Sequence, residues 1–85
     1  MQRPVKISIA YCIECGYQPY AFSLAAALLD EHQLMLTGVE LVPWKDGAFE
    51  VRINGDLVHS MYRDGGFPEN EAMVEVARAR MSGSP

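Results

Sequence analysis

The chain has 85 residues, which is one domain with a single modest core. Hydrophobic residues make up 49% of it, too many for a disordered chain, and no apolar run approaches the roughly 20 residues of a membrane span. The formal net charge is -4, and the 7 basic residues are scattered among 11 acidic ones, so nucleic acid is excluded as the expected main partner.

The first element expected is a strand over residues 5–10, where Val5, Ile7 and Ile9 alternate with Lys6, Ser8 and Ala10. Alternation of this kind predicts one buried face, and so a two-layer domain with helices on one side of the sheet. The stretch Tyr11-Cys12-Ile13-Glu14-Cys15-Gly16 follows and holds both cysteines of the chain. Pro19 then suits the first turn of a helix. Ala21, Leu24, Ala25, Leu28 and Leu29 form its apolar stripe, widened by Phe22 and Ala26, and the helix ends near His32. A second strand is expected over residues 35–42, parallel to the first, with Pro43-Trp44-Lys45-Asp46-Gly47 as a loop. Asn54-Gly55 marks a type I′ turn between strands 49–53 and 56–62. In that register Val51 faces Val58, Phe49 faces Ser60, Glu50 faces His59 and Arg52 faces Leu57. Arg63-Asp64-Gly65-Gly66 reads as a turn, and a last helix is expected over residues 69–81, with its acids in the first turn and its arginines in the last. Residues 82–85 read as a frayed tail.

A strand ending in Cys-x-x-Cys and turning into a helix is the thioredoxin-like redox arrangement. Two thiols at that spacing close a small disulfide ring. The expectation places Cys15 in the first helical turn and Cys12 just outside it, where unpaired N–H groups and the helix dipole favour thiolate. Glu14 opposes that effect by setting a carboxylate beside both sulfurs. The fold expected is an α/β, thioredoxin-like two-layer sandwich in the order strand, helix, strand, strand, strand, helix, with a mixed four-stranded sheet. The whole chain, residues 1–85, forms this one domain.

Several separated pieces point the same way: Tyr11-Cys12-x-x-Cys15-Gly16-Tyr17-x-Pro19-Tyr20, Gly47-Ala48-Phe49-Glu50-Val51, Gly55-x-Leu57-Val58-His59-Ser60 and Asp64-Gly65-Gly66. Together they resemble the Rdx family, the selenoprotein W-like proteins of the SelT/SelW/SelH group. The resemblance covers nearly the whole chain from Val5 to the last helix. It implies a thiol-based oxidoreductase role in cell redox homeostasis, with Cys12 and Cys15 as the catalytic pair and glutathione or protein thiols as partners. In the selenoprotein members selenocysteine occupies the second motif position, which here is Cys15. Gly47-Ala48 precede the third strand, where thioredoxins carry a cis-proline.

Other readings remain open on the residues alone. The pair could regulate docking of a non-catalytic interaction module, and Leu57 and Met61 could let a partner or a second copy cover the outer sheet face. A zinc site would need both cysteines with His32 and His59. Those histidines lack the close spacing of a structural zinc pair, so no metal or cofactor is assigned. His59 is expected opposite Glu50 and His32 at a helix end. Tyr17, Tyr20, Trp44 and Phe67 are expected near the cysteines or packed at helix starts. No secretory signal is read in Met1-Gln2-Arg3-Pro4, and the expected location is cytoplasmic, where paired cysteines are more often catalytic or metal-binding than structural.

Overall fold

Alternating apolar residues make β1 (Val5–Cys12) the centre of the molecule. The computed structural model, which describes residues 2–82, places Val5, Ile7, Ile9 and Tyr11 of this strand in the core. The strand runs two residues further than the alternation alone indicates, so that Cys12 is its last residue. β1 pairs in parallel with β2 (Leu36–Trp44) and antiparallel with β3 (Phe49–Ile53), and β3 pairs antiparallel with β4 (Asp56–Ser60). The mixed four-stranded sheet has the order β2-β1-β3-β4. Two longer helices, α1 (Gln18–His32) and α3 (Asn70–Met81), share one core cluster with the inner face of this sheet. The outer face carries Lys6 beside Glu40 and Arg52 beside Glu50.

Helix α1 shows which force holds it. It has no side-chain cap, a lack that costs about 1 kcal/mol, and Asp30 and Glu31 lie near its negative end. Burial of Leu24 and Leu28, at about 1.5–3 kcal/mol each, outweighs both defects. The buried stripe is Ala21, Leu24, Ala25, Leu28 and His32. Leu29 and Phe22, which belong to the expected stripe, are instead half exposed. His32 takes a core position because its Nε2–H donates to the Val74 carbonyl of α3 at 2.9 Å. Asn70 Nδ2 to Ser23 Oγ and Arg78 to Glu31 join the same two helices on the outside.

Three further boundaries differ from expectation. Residues 33–35 form a 3-10 turn, and Thr37 is an extra residue in the β1–β2 register, so Val39 and Leu41 line the inner face of the strand while Met35 packs against the same core from the turn. Pro43 and Trp44 belong to β2 and not to a loop, opposite Tyr11 and Cys12. An edge strand tolerates Pro43 because its missing N–H removes no ladder bond there. In the hairpin, Asn54 (φ 52°) and Gly55 (φ 87°) make the expected turn, and Arg52 faces Leu57. Val58 then bulges, so His59 faces Val51 and Ser60 faces Glu50. The strand stops at Ser60, and a helical turn, α2 (Met61–Asp64), replaces its expected continuation. Its cause is a reciprocal cap: the Arg63 N–H donates to Ser60 Oγ and the Ser60 N–H donates to the Asp64 carboxylate. Met61 consequently packs against the core cluster, not on the outer face. At the chain's end Ser82 is bonded to the last turn of α3, and residues 83–85 of the expected tail lie outside the described residues.

Phe49→Ala removes a side chain that is only 1% exposed, and the expected loss is about 3–5 kcal/mol in urea unfolding. Phe22→Ala, on the flank of α1 that the structure leaves half exposed, is expected to change stability by under about 1 kcal/mol.

Candidate active site

The sheet order determines where the two cysteines lie. β2 and β3 flank β1 without pairing with each other, so the 45–48 connection must cross the carboxyl end of β1. Two strand spacings are about 10 Å, within reach of four residues. The crossing is closed by Ala48 N–H to Lys45 O at 3.2 Å, and it covers Cys12, which is 1% exposed. The Cys12 N–H donates to Ala48 O at 2.8 Å, the Cys12 carbonyl accepts from the Tyr17 N–H at 3.2 Å, and the next residue, Ile13, donates to Trp44 O at 3.1 Å. The first sulfur therefore sits on a backbone held from both neighbouring strands and from the start of α1.

Cys15 lies outside that enclosure. Cys12 and Cys15 are joined in a disulfide, with Cα atoms 5.3 Å apart, and Cys15 is exposed on the turn that follows β1. The turn is closed by Gly16 N–H to Ile13 O at 3.0 Å. Gly16 has φ +76°, a left-handed conformation through which an α-helix does not continue. Hence α1 starts only at Gln18, and Cys15 is not in its first turn as the motif predicts. The helix dipole acts within about one turn, so its pull on the second sulfur is weaker than the motif implies. Glu14, between the cysteines, is exposed.

The aromatic residues form a packed set and, with Ile13, an exposed rim, and Tyr20 belongs to both. Phe67 is the hub of the packed set. It stacks on Tyr20 (centroids 3.9 Å apart, planes 7° apart) and meets Tyr17 and Phe49 edge-on at 4.8 and 5.1 Å. Each such pair is worth about 0.5–1.5 kcal/mol beyond burial. This set ties the 65–67 segment to the start of α1 and to the inner face of β3. The rim consists of Ile13 (51% exposed), Tyr20 (52%), Trp44 (55%) and Tyr62 (61%). Tyr62 Oη donates to the Asp46 carbonyl in the connection above Cys12. Desolvation first, then the charges of Asp46 and Glu50, raise its phenol above the ordinary 10.0. Ile13 and Tyr62 are rim residues that the sequence does not by itself assign to this rim. Their signal was present as large apolar side chains next to turn residues, but a lone example of that pattern is commonplace. On the outer face a groove of about 280 Å³ is lined by Ser8, Ala10, Val42, Trp44, Glu50 and Arg52.

The expected histidine contacts are resolved differently. His59 does not pair with Glu50; its Nε2–H donates to Gly66 O at 2.9 Å and its Nδ1 lies 3.6 Å from Asp64. Glu50 instead accepts from the Ser60 hydroxyl. His32 is in the α1–α3 interface, so neither histidine joins the cysteines. Among the described residues, no three His, Cys, Asp or Glu side chains gather as a metal-binding group. Also among the described residues, no helix is long and apolar enough to cross a membrane.

A mixed four-stranded sheet, helices packed on its inner face and a Cys-x-x-Cys disulfide at the end of the central strand define a thioredoxin-like α/β domain with a dithiol centre. The chain belongs to the Rdx family, whose model matches residues 6–79. It is 37% identical over 73 residues to selenoprotein W of Danio rerio, with 84% of each chain covered. It is 35% identical over 83 residues to the Bos taurus protein called migration and invasion enhancer 1, covering 95% of this chain and 69% of that one. Among solved structures, the crystal structure of a selenoprotein W-related protein from Vibrio cholerae superposes with a TM-score of 0.89 at 28% identity, covering 93% of this chain and 99% of that one. A crystal structure from Bordetella parapertussis gives 0.87 at 33% identity, covering 92% and 99%. Family membership carries a redox-related role, and the bonded Cys12–Cys15 pair fits it.

The acid side of the site yields a test. The Arg63 guanidinium, and then the Ser60 N–H, hold the Asp64 carboxyl at about 2, below its ordinary 3.8. A depressed carboxyl stabilises the fold above its unfolded value and loses that contribution as pH falls through its folded value. The turn at residues 60–66 is therefore expected to loosen between roughly pH 4 and pH 2. Amide NMR shifts of Ser60 and Gly66 would follow this step, and Asp64→Asn is expected to abolish it.

Proposed function

We propose that this protein is a thiol–disulfide oxidoreductase of the selenoprotein W-like type, with Cys15 as the exchanging sulfur and Cys12 as the resolving one, acting on glutathione or protein thiols in cytoplasmic redox homeostasis. The observation that carries the reading is the asymmetry of the pair: two sulfurs at bonding distance, one exposed on a turn and one covered at the end of β1. Exchange requires in-line approach to a sulfur, and only Cys15 offers solvent access for it. Its position in the motif is also the one that carries selenocysteine in the selenoprotein relatives. The cytoplasmic assignment draws on the use of paired cysteines in reducing compartments, where they serve catalysis more often than structure.

In the reduced protein the Cys15 thiolate attacks one sulfur of a substrate disulfide. A new Cys15–substrate disulfide forms and the other half leaves as a thiolate, which takes up a proton. Cys12, already at bonding distance, then loses its proton and attacks the Cys15 sulfur. The Cys12–Cys15 disulfide forms and the second half leaves as a thiol. The substrate gains two electrons and the protein dithiol loses two. A thiol reductant such as glutathione returns the protein to the dithiol by the reverse exchanges. The closed disulfide ring spans only residues 12–15 and lies outside both helices, so the cycle needs no rearrangement of the sheet.

A regulated docking module is the second reading, favoured by the half-exposed apolar rim beside the disulfide. The two are separated by cycling the protein with glutathione and a small disulfide. Catalysis predicts many turnovers, loss of turnover in Cys15→Ser, and a stable Cys15 mixed disulfide in Cys12→Ser, seen by mass spectrometry. Turnover that survives Cys15→Ser would reject the assigned order. Oxidation that changes partner binding without any turnover would favour the docking module.

A further inference from the structure

We infer that the substrate of this site is a polypeptide whose cysteine is flanked by apolar and basic residues, in preference to the small anionic disulfide of glutathione. The inference rests on the proposed exchange at Cys15 and names the class of molecule that reaches it. Two independent features lead to it.

The first is the apolar rim. Ile13, Tyr20, Trp44 and Tyr62 are each about half exposed, and the backbone connects them to one end of the sheet. Ile13 donates to Trp44 O, Tyr20 donates to Tyr17 O beside Cys12, and Tyr62 reaches the Asp46 carbonyl. An isolated exposed apolar side chain needs no explanation, but several large ones around a reactive group mark a contact surface. Half-exposed Trp and Tyr are the side chains that most often dominate protein recognition. Glutathione has no apolar side chain to cover them. An extended peptide does, and the outer-face groove lined by Trp44, which is opposite Cys12 in the β1–β2 register, leaves room for it on the sheet.

The second feature is charge. The two loops beside the sulfurs carry Glu14, Lys45 and Asp46, all exposed, which sum to one negative charge. Arg63, the next nearest cation in sequence to the rim, is paired with Asp64 through two hydrogen bonds of 2.9 Å. The chain as a whole is at -4. A field of this sign opposes a disulfide carrying several carboxylates and draws in a segment with Lys or Arg beside its cysteine.

The test compares three mixed disulfides with one leaving group, thionitrobenzoate, against the reduced wild-type protein. One is on a decapeptide with Leu and Lys around its cysteine, one on a decapeptide with Ser and Glu there, and one on glutathione. The Leu/Lys peptide is expected to react at least about tenfold faster than the glutathione reagent. Trp44→Ser should cut that ratio several-fold, and Glu14→Lys should cut it by favouring the glutathione reagent. A glutathione rate equal to or above the Leu/Lys peptide rate overturns the inference and leaves the exchange reading standing. Absence of exchange with all three reagents instead rejects the exchange reading. Binding then decides the inference separately: the Leu/Lys peptide with serine for cysteine is titrated into the oxidised protein. Trp44 is the sole tryptophan, so its indole N–H reports directly. A saturable indole shift supports the site, and an unmoved indole at about millimolar peptide, a free energy near 4 kcal/mol, overturns it.

Discussion

The rest of the site depends on the way the backbone of Cys12 is held. Its N–H is bonded to Ala48, its carbonyl to Tyr17, and the following N–H to Trp44. These three contacts come from the β2–β3 connection, the entry to α1 and the end of β2. They exist because β1 lies between β2 and β3 in the sheet and ends beneath the segment that joins them. A strand at the sheet edge would leave its last residue open, and both sulfurs would then meet solvent alike. Here the same topology that buries Val5, Ile7 and Ile9 also shields one sulfur and presents the other.

That arrangement gives the two cysteines different supports. Cys12 belongs to the sheet, while Cys15 stands on a four-residue turn whose exit is set by the left-handed Gly16. The aromatic hub at Phe67 performs a similar service for the neighbouring loops, since it fixes the 65–67 segment against Tyr17 and Tyr20. His59 and the Ser60–Asp64 cap hold the other end of that segment. The site therefore has a firm base and an exposed apolar and acidic approach. A helix dipole acting at close range would make the second sulfur's thiolate easier to form. The break at Gly16 removes much of that help, so exposure and enclosure, more than helix electrostatics, distinguish the two cysteines.

Much of this was legible because it is local. The alternation of Val5, Ile7 and Ile9, the Asn54-Gly55 turn and the Cys-x-x-Cys spacing each depend on neighbours within a few residues. The family motifs were legible for the same reason, as short runs quoted directly from the chain. What could not be read came from contacts between distant segments. Val58 bulges where the strand register meets the Ser60–Asp64 cap, and strict alternation hides that extra residue. Pro43 and Trp44 extend β2 because Tyr11 and Cys12 are there to pair with them. His32 is buried because α3 offers the Val74 carbonyl, and Leu29 is exposed because no element covers that flank of α1. The burial of Cys12 is the most consequential of these. It follows from strand order, which a list of elements does not contain.

The central claim is that the sheet encloses one sulfur and presents the other. Its most direct measurement is the rate of alkylation of each cysteine in the fully reduced wild-type protein, mapped by mass spectrometry at limiting iodoacetamide. Enclosure predicts that Cys15 is modified first, at least about tenfold faster than Cys12, with the two rates converging when the protein is unfolded in denaturant. Equal rates in the folded protein, or modification of Cys12 first, would contradict the account.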